Sequence, residues 1–222
     1  MNNVCVLIPS YNEARTIGGI VRAVKTLGLT AYVIDDGSAD DTSAIARKEG
    51  AVVLRHEMNK GKGEALREGF KYMLKKNYEA VIVIDGDGQH EVASISDFIK
   101  KAQDANFDIL IGNRMLDTKK MPFTRQATNH FMSYIVSRVC GQAIPDTQCG
   151  YRLIKRKVLE NVTLESSNFE IESELIIKAC RKGFKVGSVP IKTIYQDEKS
   201  RINPVVDTLR FIAFMFKMKR KK

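Results

Sequence analysis

Residues 80–91 read Ala80-Val81-Ile82-Val83-Ile84-Asp85-Gly86-Asp87-Gly88-Gln89-His90-Glu91. An unbroken apolar run rich in Val and Ile predicts a strand buried on both faces. It stops at Asp-Gly-Asp-Gly. Two carboxylates and two glycines then lie at the C-terminal edge of a parallel strand, where open α/β sheets hold their ligands. Strand alternation would set Asp85 and Asp87 on one side, with Gly86 leaving room for a close ligand. Two carboxylates beside the Gln89 amide suit a hard divalent cation that keeps several waters and takes further ligands from a diphosphate. The same residues also make an ordinary solvated turn. The rest of the chain has to decide between the two.

Working outward toward the N-terminus, Val4–Pro9, Ala31–Ile34 and Ala51–Arg55 are three more short apolar strands. Between them, Ile17, Ile20, Val21, Val24 and Leu27 recur at helical spacing, with Asn12 as the expected N-cap and Gly28 as the stop. Asp40–Glu49 predicts a second helix, and Asn59-Lys60-Gly61-Lys62-Gly63 opens a third that carries Ala65, Leu66, Phe70, Met73 and Leu74. Beyond the central run come a helix near Ile95–Ala105 and a strand at Asp108–Ile111 ending in Gly112-Asn113-Arg114. Strands alternating with helices through residues 1–114 predict an α/β fold with a doubly wound, mostly parallel sheet and helices on both faces.

The second half has a different texture. Met115–Phe123 is a polar loop with Lys119 and Lys120, Phe131–Val139 is apolar at helical spacing, and Asp146–Arg152 reads as a turn. A helix over Ser167–Arg181, a strand over Lys185–Ile191 and a final helix starting at Asn203-Pro204 complete the expectation. Residues 1–201 read as one domain with halves 1–114 and 115–201, followed by a basic amphipathic segment at 202–222.

The chain has 222 residues, 44% of them hydrophobic and 28% charged, which is ordinary for a globular protein. No run approaches the ~20 apolar residues of a bilayer span, and the N-terminus lacks the features of a secretory signal. Cys5, Cys140, Cys149 and Cys180 show no CxxC pairing and read as reduced core residues, and with His56, His90 and His130 they lack zinc-ligand spacing. Net charge is +10, and five of the last six residues are basic. They follow an apolar stripe of Val205, Leu209, Ile212 and Phe216, widened by Phe211, Phe214 and Met215. That arrangement suits an anionic membrane surface rather than nucleic acid, for which no binding motif is present. A helix docked on the core is the competing expectation.

The first four strand ends carry Tyr11/Asn12/Glu13, Asp35/Asp36, His56 with the loop 59–63, and Asp85/Asp87. In a parallel sheet these converge on one edge. No GxGxxG follows the first strand and no Walker lysine appears, which argues against dinucleotide oxidoreductases and P-loop enzymes. Acidic strand ends suit hydrogen bonds to a base and ribose, with a cation for the diphosphate and Lys60 and Lys62 for further phosphate contacts.

Seven segments, Val6–Glu13, Ile34–Ser38, Asn59–Ala65, Asp85–His90, Gly112–Arg114, Asp146–Arg152 and Phe169–Glu172, occur in one order across the chain. In that order they resemble inverting family 2 glycosyltransferases of the GT-A fold, in the dolichol- or polyprenyl-phosphate mannose and glucose synthase group. The resemblance implies a donor site at Pro9, Tyr11, Glu13 and Asp36, with Asp35 adjacent, completed by Gly61, Lys62, Asp85, Gly86 and Asp87. It implies Mg²⁺ or Mn²⁺ on Asp85, Asp87 and Gln89. Arg114, Arg125, Arg152, Lys199, Ser200 and Arg201 would hold an acceptor phosphate. Asp85, Asp87, Arg114, Asp146, Arg152 and Arg201 form the implied catalytic set, in which Asp146 orients the acceptor or an arginine, with a role as general base left open.

A lipid monophosphate with a second pKa near ~6 is largely dianionic at neutral pH and needs cations to hold it rather than a base. The expected reaction moves glucose or mannose from UDP-glucose or GDP-mannose to a polyprenyl phosphate. The expected location is cytoplasmic, peripheral at the inner membrane face, with room for a homo-oligomer or an integral-membrane partner. Transfer to a sugar hydroxyl, or a catalytically silent nucleotide-sugar-binding or adaptor protein, are the alternatives.

Overall fold

The structure is a computed structural model that describes residues 3–118, 121–168, 170–194, 210–216 and 218. Seven strands form one sheet: β1 (Val4–Ser10), β2 (Thr30–Asp35), β3 (Val52–Arg55), β4 (Ala80–Val83), β5 (Ile109–Asn113), β6 (Arg152–Lys155) and β7 (Val186–Pro190). Their order is β3-β2-β1-β4-β6-β5-β7. All run in one direction except β6, which lies antiparallel between β4 and β5. The expected mostly parallel sheet is present, with helices α1 (Ile17–Thr26), α2 (Thr42–Lys48), α3 (Lys62–Leu74), α4 (Ile95–Asp104), α5 (Phe123–Cys140), α6 (Arg156–Asn161) and α7 (Glu170–Arg181) packed around it.

Burial follows the periodicity. Every residue of β1 and β4 is buried, as continuous apolar strands covered on both faces must be. Helix α1 buries Ile17, Ile20, Val21 and Val24, and α4 buries Ile95, Phe98 and Ala102, so both present one apolar stripe to the sheet. Each fully buried aliphatic side chain contributes ~1.5–3 kcal/mol. Helix α3 approaches β1 closely at Gly69, where a Cβ would meet Leu7 Cδ2 at 2.7 Å.

Two expectations change. Asn12 does not cap α1, whose N-cap is Thr16. Its φ of 57° instead puts it in the left-handed region, where Asn is tolerated, and it serves the ligand-side loops described below. Asp146–Arg152 is not only a turn, because it runs into β6 and then α6. Four residues bounded by Arg152 and Lys155 carry too little periodicity to announce a strand, although Leu153 and Ile154 are fully buried. For the terminal segment, the described residues follow the competing expectation of a docked helix. Residues 210–216 are helical and bury Phe211 and Phe214, followed by buried Met218, while Phe216 is 67% exposed. Arg181 donates to the Met218 carbonyl at 2.8 Å, which ties the segment to the end of α7. The described part of this helix is therefore docked on the core; Val205, Leu209 and the basic residues Lys217 and 219–222 lie outside the described residues. The four cysteines are free, with Cys5 and Cys149 buried.

Candidate active site

Loops at the C-terminal ends of β1, β2, β3 and β4 meet at one edge, as the topology requires. The β1 loop is joined to the β2 loop by hydrogen bonds: Asn12 N donates to Ser38 Oγ at 2.9 Å, Ala39 N donates to Asn12 Oδ1 at 2.8 Å, and Glu13 N donates to Thr42 Oγ1 at 2.8 Å. Tyr11 and Glu13 are half-buried on this edge, whereas Pro9 is buried inside β1 in register with Ile34.

The acidic pair at the end of β2 is turned toward the protein. Asp35 is fully buried; it accepts from Ser38 N at 2.8 Å and from Ser43 Oγ, with Arg55 Nε 3.6 Å away. These bonds organise the loop that follows β2. Asp36 is also buried and accepts from Lys60 N at 2.9 Å and Gly61 N at 2.8 Å. His56 lies between two carboxylates, with Nδ1 2.7 Å from Asp36 and Nε2 2.7 Å from Glu68. Asp36 thus fixes the 59–61 loop, and the resemblance carried no signal of that duty.

Gly61 adopts φ of 95°, a conformation that L side chains rarely take, immediately before α3. A Cβ there would meet the Ser167 carbonyl oxygen at 2.7 Å, and Gly63 N donates to the same oxygen at 3.0 Å. The start of α3 is in this way clamped against the loop before α7. It delivers Lys62 between two carboxylates: Nζ is 2.7 Å from Asp85 Oδ1 and 2.8 Å from Glu172 Oε1. Burial, the largest single effect, would raise the Asp85 carboxyl, but the charge and hydrogen bond of Lys62 together with His90 and Arg114 outweigh it and hold the group below its ordinary value. Burial alone would lower the Lys62 ammonium, and Asp85 with Glu172 instead push it up. Both are charged at neutral pH.

Strand β4 ends at Val83, so Asp85 and Asp87 belong to a turn, and the strand alternation invoked above does not govern them. Asp87 Oδ1 accepts from Gln89 N at 2.9 Å, closing that turn, and Thr16 Oγ1 donates to the Gly86 carbonyl at 2.6 Å. A Cβ on Gly86 would meet Ser10 Oγ at 2.5 Å. His90, buried against Tyr151 with ring centroids 5.5 Å apart, pairs with Thr193, and Ile194 N donates to the Gln89 carbonyl at 2.9 Å. Burial keeps His90 neutral, with its pKa lowered to about 4.

Among the described residues no group of three or more His, Cys, Asp and Glu side chains forms a ready cation cage. Asp85, Asp87 and Gln89 share the 85–89 turn, and the Asp85 carboxylate already carries a cationic partner in Lys62. This donor set fits a divalent ion that draws its other ligands from water and a diphosphate.

The implied acceptor residues are spent differently. Arg114 forms a two-point pair with Asp146, Nε to Oδ2 at 2.7 Å and Nη2 to Oδ1 at 2.9 Å, and the side chains are 6% and 0% exposed. Arg114 N adds a third bond to Asp146 at 3.2 Å. Arg152 donates to the carbonyls of Cys149, Glu172 and Thr147 at 2.8, 2.6 and 2.8 Å. Arg152 therefore spends its guanidinium on the wall of the site, and Asp146 orients an arginine, as one of its expected duties has it, with both oxygens engaged by Arg114. Arg125 is half-buried on α5, while Lys199, Ser200 and Arg201 lie outside the described residues, as do Lys119, Lys120 and Phe169. Sequence reasoning gave no role to Glu172 or Glu174, which are both buried on α7. Glu172 had two advance signals, its place in the Phe169–Glu172 segment and the acidic start of that helix, which also fits a solvated helix end; Glu174 had none.

A mostly parallel sheet whose edge gathers these carboxylates and a half-buried lysine has the fold of GT-A glycosyltransferases. The chain belongs to glycosyl transferase family 2, whose model matches residues 5–163. It is 31% identical over 216 residues to Glycosyltransferase AglJ of Haloferax volcanii, covering 96% of this chain and 69% of that protein. It is also 31% identical over 200 residues to the polyprenol monophosphomannose synthase of Mycolicibacterium smegmatis, covering 84% of this chain and 75% of that one. In fold it is similar to glucosyl-3-phosphoglycerate synthase of Mycobacterium tuberculosis, solved with Mn²⁺ and UDP-glucose, at a TM-score of 0.76 and 17% identity, covering 97% of this chain and 78% of the other.

Proposed function

We propose that this glycosyltransferase moves a hexose from a nucleoside diphosphate sugar to a polyprenyl phosphate, with inversion at the anomeric carbon. The observation that carries this reading is the 85–89 turn, with Asp85 held by Lys62 at the edge where the loops after β1, β2 and β4 meet. Tyr11 and Glu13 hold the nucleoside, and the Asp36-bound 59–61 loop with Lys62 holds the diphosphate. Asp85, Asp87 and Gln89 would hold Mg²⁺ or Mn²⁺, which offsets charge that builds on the leaving diphosphate.

The acceptor class follows from charge. A sugar hydroxyl needs a positioned base, and Asp146 is engaged at both oxygens by Arg114. A phosphate monoester arrives as an anion and needs only cations to hold it. Similarity to a polyprenol monophosphomannose synthase supports the same choice. Arg125, Lys199, Ser200 and Arg201 are the residues proposed to hold that phosphate, with Arg114 and Arg152 supporting the wall of the site. No described helix is long and apolar enough to cross a membrane. We assign contact with an anionic membrane surface to the basic residues after the docked helix.

The test is a thermal-shift panel of UDP- and GDP-sugars with and without Mn²⁺, followed by radiolabel transfer from the stabilising donor to a short polyprenyl phosphate. A cation-dependent shift with one base and label in the lipid phase are expected. Absence of any shift with every donor would overturn the reading.

A further inference from the structure

Lys62 sits in the first turn of α3, the positive end of the helix dipole, where a cation is electrostatically disfavoured. Its side chain is nevertheless only 17% exposed and lies between Asp85 and Glu172, which are 22% and 10% exposed. Glu172 is held in turn: Arg152 donates to its backbone carbonyl at 2.6 Å, and Arg152 Nη2 is 3.6 Å from Oε2. The next turn of α7 fixes the neighbouring loop, since Glu165 N and Ser166 N donate to the Glu174 carboxylate. Ser167 in that loop clamps Gly63 at the start of α3. The ammonium therefore has two rigid anionic partners of different kinds. One belongs to the donor-site turn. The other belongs to the scaffold and lies away from that turn in sequence.

Charge bookkeeping gives these partners distinct duties. Asp85 and Glu172 are balanced by Lys62 and Arg152, so the cluster is neutral before any ligand arrives. A divalent ion on Asp85 would repel Lys62 from that carboxylate, and Glu172 would then retain the ammonium. We infer that Lys62 is a built-in counter-ion that competes with the divalent cation for Asp85, and that Glu172 is the positioning residue that keeps Lys62 at the diphosphate position when the cation binds. The inference rests on the donor-site reading given above and assigns Lys62 and Glu172 duties within it.

The test measures binding rather than turnover, on the full chain. Mn²⁺ alone is titrated by the electron paramagnetic resonance signal of the free ion, and UDP and GDP are titrated by calorimetry in EDTA. Lys62→Met, with an unchanged circular dichroism spectrum, is expected to bind Mn²⁺ roughly tenfold tighter because the competitor is gone. It is expected to bind the nucleoside diphosphate in EDTA several-fold more weakly. These opposite signs separate a counter-ion from a merely structural lysine, whose loss would weaken both. Glu172→Gln is expected to weaken Mn²⁺ binding in the wild-type background and to have no effect in the Lys62→Met background. If Lys62→Met does not fold, Lys62→Gln carries the same comparison. Unchanged or weaker Mn²⁺ binding in the lysine variant overturns the inference and leaves the donor site standing. Wild-type protein that binds neither Mn²⁺ nor any nucleoside diphosphate overturns both.

Discussion

The two sides of the site use charge for different ends. On the donor side, Lys62, Asp85 and Asp87 are partly exposed, and their partners are other members of the site. On the side proposed for the acceptor, Arg114, Asp146 and Arg152 are buried, and their bonds run to each other and to backbone carbonyls. Charged groups that face a ligand can lose a partner at little cost to the fold. Charged groups sealed in the wall cannot, because an unpaired buried charge has no water to turn to. The contrast teaches that a charged residue in a family segment can be functional by contact or by construction, and that burial separates the two.

The sharpest way to break this contrast is Asp146→Ala. It leaves Arg114 buried and unpaired, and a loss of ~3–5 kcal/mol in urea unfolding is expected, with activity falling alongside. A stable protein that binds donor but transfers nothing would move Asp146 to the chemistry and restore the hydroxyl-acceptor reading.

Asp87→Ala makes the opposite demand. Cation-dependent transfer should fall roughly 10²–10³-fold while the melting temperature stays near wild type, since Asp87 is half-buried and its bond to Gln89 N is local. Full activity in this variant would remove Asp87 from the cation site.

A smaller effect is expected for Asp35→Asn. Its buried carboxylate accepts from Ser38 N and Ser43 Oγ, and the amide can match only part of that pattern. A stability loss of ~1–3 kcal/mol should come with weaker donor binding, because the loop carries Asp36. Calorimetry that shows weaker binding at unchanged stability would make Asp35 a ligand contact after all.

The smallest effect concerns pH. Burial would raise the Glu174 carboxyl, but bonds from Lys178, Ser166 N and Glu165 N outweigh it and hold the group below its ordinary value. A carboxyl depressed on folding stabilises the protein above its unfolded pKa, about 4.3, and that contribution is lost as pH falls through the folded value. Glu174→Gln should therefore lower stability at pH 7 and flatten its fall below pH 4. A parallel offset across the whole range would assign Glu174 a packing role instead.

Residues 1–113 were the more legible part of the chain. Apolar runs of four to seven residues separated by helical stripes identify β1–β5 and α1–α4, and acidic strand ends on parallel strands have only one edge to share. The direction of each long side chain was not legible. Nothing in Gly112-Asn113-Arg114 says that the guanidinium folds back onto a carboxylate 32 residues later, because that choice belongs to tertiary packing. Asn12 was misread for a related reason: the residue that suits an N-cap also suits a left-handed turn, and the Ser38 and Ala39 partners decide. Strand β6 escaped notice because its pattern is too short to be periodic.

That reversed strand has a consequence for how the molecule assembles and opens. The ladder β3-β2-β1-β4 and the pair β5-β7 touch in the sheet only through β6, so four residues form the seam of the whole sheet. One flank pairs Val81 with Ile154, across a long loop in sequence, and such non-local closures form slowly in folding. The seam also ends at Arg152, directly below the donor turn, with Val83 opposite it. Hydrogen exchange at Leu153 and Ile154 would then report on the closing of the sheet and on the integrity of the wall built by Arg152 in one measurement.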